Sequence, residues 1–203
     1  MFNTEILVRE LVEDAKKKTA HDFGKNILPA MVDKNRVYSY IYKKEEGKPS
    51  YWRDVGTIEA YFEANMDLVS VSPLLNLYDP GWPIHTCHSP FPPAKTILDE
   101  EGGRRGSALE SIISGGCILS GGEVKRSLLS PNVRIESFAK VEDSILLEGV
   151  RVGEHVRIRR SIIDKESEIP PGMQIGYDLE EDAKKFTVTE SDIVVVPKGF
   201  RSR

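Results

Sequence analysis

From Ile112 to Ile175 an aliphatic side chain recurs every six residues, with an occasional step of five, and this period excludes most of the folds open to a chain of ordinary length. One register reads Ile112, Ile118, Val124, Leu129, Ile135, Val141, Leu147, Val152, Ile158, Ile163, Ile169 and Ile175. A second, two positions earlier, reads Val133, Ala139, Ile145, Val150, Val156 and Ile162. An amphipathic helix needs apolar residues three and four apart and a half-buried sheet needs strict alternation; neither pattern is kept. A hexad period instead describes short flat strands joined by tight corners, three to a coil, the coils stacking as a parallel β-helix. One such strand cannot bury its one or two inward aliphatics alone, so burial is collective. At about eighteen residues per coil the stretch makes roughly three and a half coils. Gly115-Gly116, Gly121-Gly122, Ser130-Pro131-Asn132, Gly149, Gly153 and Pro170-Pro171-Gly172 mark the expected corners, where unusual φ or a preset turn is needed.

Outside the repeat, composition mainly excludes. The 203 residues carry a formal charge of −4 and a pI near 5.7, which announces neither a nucleic-acid nor a membrane partner. No run of eighteen apolar residues occurs, and Met1-Phe2-Asn3-Thr4 lacks the basic and apolar regions of a secretory signal. Cys87 and Cys117 are too few and too far apart for a disulfide framework, so the expected compartment is reducing and cytoplasmic. The chain opens almost directly on a helical pattern, as though something upstream had been cut away.

That first helix is expected to be capped by Asn3 or Thr4, with Ile6, Leu7, Leu11, Val12 and Ala15 as its apolar stripe and Glu10, Glu13, Lys16 and Lys17 in water. Asp22 caps a second, short helix carrying Ile27, Leu28, Met31 and Val32, with Pro29 early enough to be tolerated. Val37 to Tyr42 reads as a strand and Lys43 to Ser50 as a loop. Tyr51-Trp52-Arg53-Asp54-Val55-Gly56-Thr57 then leads into a helix capped by Thr57, with apolar positions Ile58, Tyr61, Phe62, Met66, Leu68 and Val69. Asp54 in that turn can present a carboxylate to a ligand or to a hard cation such as Mg²⁺. It can equally brace the turn on backbone N–H groups, with Arg53 as its ion-pair partner. Asp79 to Pro93 is too proline-dense for a helix or central strand and reads as a surface linker. His85-Thr86-Cys87-His88 within it offers imidazole and thiolate, but structural zinc wants four donors and no second cluster supplies them. After the repeat, Asp178 stands three before Glu181 in a capping-box arrangement, opening a helix to Phe186; Ile193 to Val196 is a last strand, from which Pro197-Lys198-Gly199 turns away.

Six words of this sequence, in order, resemble one enzyme family: His21-Asp22-Phe23-Gly24-Lys25-Asn26, Tyr51 to Thr57, Glu63-Ala64-Asn65-Met66-Asp67-Leu68, Pro92-Pro93-Ala94-Lys95, Ser114-Gly115-Gly116-Cys117 and Ile162-Ile163-Asp164. Together they resemble ADP-glucose pyrophosphorylase, also named glucose-1-phosphate adenylyltransferase, which makes ADP-glucose and diphosphate from ATP and glucose 1-phosphate for glycogen or starch synthesis. The resemblance implies a mainly β fold: a left-handed parallel β-helix of hexapeptide repeats behind an N-terminal α/β remnant of a Rossmann-like nucleotidyltransferase domain. The handedness comes from the resemblance, since ordinary parallel crossovers are right-handed. The implied division is 1–78 for the remnant, 79–108 for the linker and 109–203 for the β-helix with its last helix and strand.

By the same resemblance Asp54 is a catalytic residue that helps hold Mg²⁺, and Trp52 couples the active site to effector binding. Lys165 and Lys198 match basic positions that take an anionic effector, a sugar phosphate or nucleotide. The chain lacks the family's N-terminal glycine-rich loop, a partner aspartate for the metal and the segment that grips glucose 1-phosphate, so it is expected to be a C-terminal fragment carrying assembly and allosteric regions, inactive alone. A different class of reading is a non-catalytic regulatory or structural subunit that partners a separate nucleotidyltransferase chain. A third is a hexapeptide acyltransferase, a class that places a histidine where adjacent subunits meet; His155 is the only histidine in the repeat. Exposed coil ends and flat faces predict a homo-oligomer.

Overall fold

The computed structural model describes residues 1–40, 51–87 and 89–201. The chain separates into two compact units, Met1–Ser50 and Tyr51–Arg203.

In the first unit α1 (Thr4–Ala15) starts at Asn3, whose side-chain oxygen accepts the N–H groups of Glu5 and Ile6 at 3.0 and 3.2 Å. These are donors that a helix start leaves without partners. The expected apolar stripe is not the buried one: Leu11, Val12 and Ala15 are exposed, while Asp14 is only 8% exposed. Local hydrogen bonding explains the reversal. Thr19 Oγ1 donates to Asp14 Oδ1 at 3.0 Å, and His21 Nδ1 lies 2.7 Å from Asp14 Oδ2. The His21 contact holds the Asp14 carboxyl below the usual carboxylate range. Asp22 caps a π-helical turn, Phe23–Ile27, by accepting from the Lys25 N–H at 2.7 Å, and the turn runs into α2 (Leu28–Val32) with Pro29 in its first turn. Val37–Tyr40, expected as a strand, is not one: a strand needs a ladder partner, and among the described residues the first strand begins at Lys95. Ile41, Tyr42 and the loop 43–50 lie outside the described residues.

The second unit opens with α3 (Ile58–Val69). The first coil is β1 (Lys95–Ile97), β2 (Ser107–Leu109) and β3 (Ile112–Ile113); the second is β4 (Ile118–Ser120), β5 (Glu123–Lys125) and β6 (Leu128–Leu129). The third is β7 (Arg134–Ile135), β8 (Lys140–Glu142) and β9 (Ile145–Leu146); the fourth is β10 (Arg151–Val152), β11 (Arg157–Arg159) and β12 (Ser161–Ile163). A fifth begins with β13 (Glu168–Ile169) and β14 (Gln174–Ile175), departs through α4 (Leu179–Ala183) and β15 (Thr187–Val188), and closes with β16 (Val194–Val196). Like sides stack into three parallel sheets, β1-β4-β7-β10-β13, β2-β5-β8-β11-β14 and β3-β6-β9-β12-β16, with β15 antiparallel on the edge of the last. This is the expected parallel β-helix. Its first strand lies within 79–108, the stretch read as linker.

Three columns line the interior, and the buried Cys117, Val133, Val150, Ala139 and Val156 fill it beside them. Leu119, Ile135, Val152 and Ile169 are successive partners on one side, with Thr96, exposed, pairing with Leu119 at the start of the stack. Ala108, Val124, Val141, Ile158 and Ile175 form the second, and Ile113, Leu129, Leu146, Ile163 and Val196 the third. Three corrections follow: Ile113, Leu119 and Leu146 are inward where Ile112, Ile118 and Leu147 were expected, and Leu119 and Leu146 are fully buried. Ile118 instead pairs with Lys95 and Arg134 on the outer face. Coil length is corrected too, since partners lie sixteen residues apart from Ser107 to Glu123 and seventeen from Glu123 to Lys140 to Arg157 to Gln174, not eighteen.

The residue lost from every coil comes out of one corner. Between the second and third sides the chain turns on Glu110, Arg126, Asp143 and Arg160, all at positive φ, followed each time by a serine. Left-handed backbone costs a non-glycine residue about 1–2 kcal/mol. The serines offset it. Ser144 Oγ donates to the Glu142 carbonyl at 2.6 Å and accepts the Ser161 N–H at 3.1 Å; Ser127 does the same toward Lys125 and Ser144, as does Ser111 toward Leu109 and Ser127. The position that Val133 and Ala139 hold on the first two sides is therefore held by serine on the third, and Ile145 and Ile162 of the expected second register face outward.

At the far end Asp178 caps α4 by accepting the Glu181 N–H at 3.1 Å. Pro197-Lys198-Gly199 does not turn away. Gly199 N–H donates to the Lys165 carbonyl and Glu168 N–H to the Phe200 carbonyl, so the chain folds back onto the stack.

Candidate functional site

The outward residues of the third sheet, Leu128, Ile145, Ile162 and Val195, form a fourth apolar column. Tyr61, Phe62 and Met66 of α3 cover it together with Ile193, and Phe62 is the buried residue of that helix. The helix starts at Thr57, whose Oγ1 accepts the Ala60 N–H at 3.1 Å. The turn before it is thereby fixed against the solenoid. Val55, Gly56, Thr57, Ile58 and Tyr61 face Leu147, Ile162, Asp164 and Val195 across an apolar cleft. Arg160 joins the other flank: its guanidinium lies 5.7 Å from the Phe62 ring and its Nε donates to the Ser191 carbonyl at 3.0 Å.

Asp54 is exposed on this turn, and its Oδ1 accepts the Gly56 N–H at 3.1 Å. It braces the turn with one oxygen only. Arg53 does not pair with it, contrary to the simplest sequence reading. Its guanidinium reaches over α3 to Glu63, at 3.2 Å, and to Asp67, at 2.6 Å. Trp52 is 78% exposed. The motif does not name Glu63 and Asp67 as partners of the turn, although their i,i+4 spacing on a capped helix puts both on one face.

Lys165 and Lys198, thirty-odd residues apart in sequence, meet at one corner: the register that pairs Ile163 with Val196 sets Lys198 one layer beyond Lys165. The Gly199 N–H donates to the Lys165 carbonyl at 2.9 Å, and Lys198 Nζ lies 3.8 Å from Glu166 Oε2. Both lysines are exposed. Asp164, next to Lys165, lines the cleft beside the Asp54 turn. His155 sits at a different corner, exposed and stacked on Phe138 with ring centroids 4.9 Å apart. Cys117 is buried and donates to the Ser130 carbonyl, and burial pushes its thiol up. Cys87 is exposed and His88 lies outside the described residues.

Among the described residues no group of three or more His, Cys, Asp or Glu side chains is placed to hold a metal. Mg²⁺, however, keeps most of its waters and takes one or two carboxylates plus phosphate oxygens from substrate. A single exposed carboxylate with a spare oxygen fits that demand as one ligand, and Asp54 is such a group.

Residues 92–196 match the family model described as GlmU-like, C-terminal hexapeptide. The chain belongs to the GlmU-like hexapeptide family. Residues 1–71 of this hexapeptide-family chain match a second model, nucleotidyl transferase. Among curated proteins it is 52% identical to a glucose-1-phosphate adenylyltransferase of Koribacter versatilis over 98% of this chain and 48% of the relative. It is 50% identical to one of Anaeromyxobacter sp. over 99% of this chain and 51% of the relative, and 51% identical to one of Rhodopirellula baltica over 98% and 46%. The chain spans about half the length of the curated relatives it matches, the C-terminal half. The resemblance read from its motifs is shown by these matches.

Proposed function

We propose that this chain is the C-terminal half of a glucose-1-phosphate adenylyltransferase, contributing to the reaction of ATP with glucose 1-phosphate to give ADP-glucose and diphosphate, and inactive alone. One observation carries the reading: near 50% identity to that enzyme runs through both the nucleotidyl-transferase part and the hexapeptide part. The division into a remnant at 1–78, a connector at 79–108 and a β-helix at 109–203 is part of the proposal; the end of the nucleotidyl-transferase match at residue 71 supports the first boundary, while the hexapeptide match begins at residue 92, inside the connector.

The reaction gathers negative charge on the α-phosphate of ATP as the sugar phosphate attacks, and a bound Mg²⁺ would supply the charge that offsets it. Asp54 would contribute its uncommitted oxygen to that ion. The Gly56 N–H and the Thr57 cap hold its turn in place. Trp52, exposed beside it, is the proposed coupling residue. Lys165 and Lys198 would together receive an anionic sugar phosphate or nucleotide, a role supported by their meeting at one corner that adjoins the cleft through Asp164. A cytoplasmic setting and a homo-oligomer belong to the same reading; among the described residues no helix is long and apolar enough to cross a membrane.

Assayed with ATP, glucose 1-phosphate and Mg²⁺, the isolated chain should release no diphosphate, and turnover would overthrow the proposal. The exposed apolar side of α1, carrying Val8, Leu11 and Val12, favours a second reading, a subunit that partners a separate nucleotidyltransferase chain. Co-purification of such a chain supports it, and a monodisperse lone protein counts against it.

A further inference from the structure

Arg53 and Asp54 are neighbours in an exposed turn, yet they do not pair. The guanidinium is drawn off by two carboxylates of α3, Asp67 at 2.6 Å and Glu63 at 3.2 Å. Asp54 is left with the Gly56 N–H on Oδ1, and among the described residues nothing donates to its Oδ2. Two anions for one cation is more than the turn needs for its own stability, because exposed ion pairs of this kind each contribute little. A freed guanidinium one residue away would settle on that carboxylate, and a carboxylate paired with arginine attracts a hard cation less.

We propose that Glu63 and Asp67 are positioning residues that divert Arg53 from Asp54 and keep one oxygen of that carboxylate open to a divalent cation. The inference rests on the reading of Asp54 as a metal ligand. The anchorage makes the diversion durable: α3 is fixed to the solenoid through Phe62, so the two acids hold their places whether or not a cation is present. The Arg53 side chain, about one-third exposed, is clasped where it crosses the helix.

The test uses the full chain and Mn²⁺ alone, read by residue-specific paramagnetic broadening of the amide signals of Trp52 to Gly56. In wild type these signals broaden as Mn²⁺ is added. In the E63Q/D67N variant, its helix content checked by circular dichroism, the concentration giving equal broadening should rise about two- to five-fold, the worth of one exposed ion pair. Adding R53Q to that variant should restore the wild-type response, which separates competition by Arg53 from simple loss of nearby negative charge. Broadening in E63Q/D67N equal to wild type, or no restoration by R53Q, overturns the clasp. Broadening in D54N equal to wild type overturns the assignment of Asp54 itself, a separate failure.

Discussion

Asp182 is a carboxylate only 4% exposed, at the end of the solenoid where α4 folds over the last coil. Its Oδ2 accepts the Gly176 N–H at 2.7 Å, and Gly176 needs both its positive φ and its bare Cα, since a side chain there would run into the Arg159 carbonyl. Burial raises the Asp182 pKa above the usual carboxylate value; the Gly176 N–H offsets part of that rise and the charge on Asp178 adds to it. A folded-state pKa above the unfolded one gives stability that is complete below the unfolded pKa and lost as pH rises through the folded one. D182N keeps an oxygen for Gly176 without the charge, so it should equal or exceed wild type in melting temperature at pH 7, with wild type catching up as pH falls through the carboxylate range. Asp14 has the opposite sign. Its hydrogen bond with His21 depresses its pKa, so the stability it gives is present at neutral pH and lost on acidification. Neither carboxylate was legible beforehand, because a buried acid is written in the sequence like any exposed one and only the folded donors tell them apart.

At the scale of the strand and corner, the six-residue period was legible and its phase was not. A five-residue step at every serine corner moves the inward position by one, which is why Leu146 is interior and Leu147 sits half-buried under α3. L146A should cost about 2–5 kcal/mol in chemical denaturation and L147A about 1 kcal/mol. Equal losses would contradict the register. The serines are silent in the sequence because a polar residue reads as a gap in an apolar repeat. S144A removes the acceptor of the Ser161 N–H, which is fully buried, and should lose about 1–3 kcal/mol by the same measurement.

For the molecule as a whole, ancestry and packing divide the chain at different places. The family matches change over between residues 71 and 92, whereas the second compact unit begins at Tyr51 and takes in α3. Motif words follow descent and were readable. The packing follows Leu128, Ile145, Ile162 and Val195, an outward apolar column of which a six-residue period assigns Ile145 and Ile162 to the interior. F62A should therefore loosen α3 while sparing the solenoid: hydrogen exchange should speed up across Ile58–Val69 and stay slow in β7 to β12. Loss of protection throughout would show that helix and solenoid unfold as one.

Since the layers from Glu123 onward repeat the same three bends at seventeen-residue intervals, height and cross-section are independent properties of this prism. Duplicating Ser144–Arg160 in tandem would add one storey whose hydroxyl links with those above and below it. Deleting five residues from a side would instead rotate everything downstream by one face and carry Lys165 and Lys198 away from the cleft, so a gene of this kind gains or loses length by whole storeys.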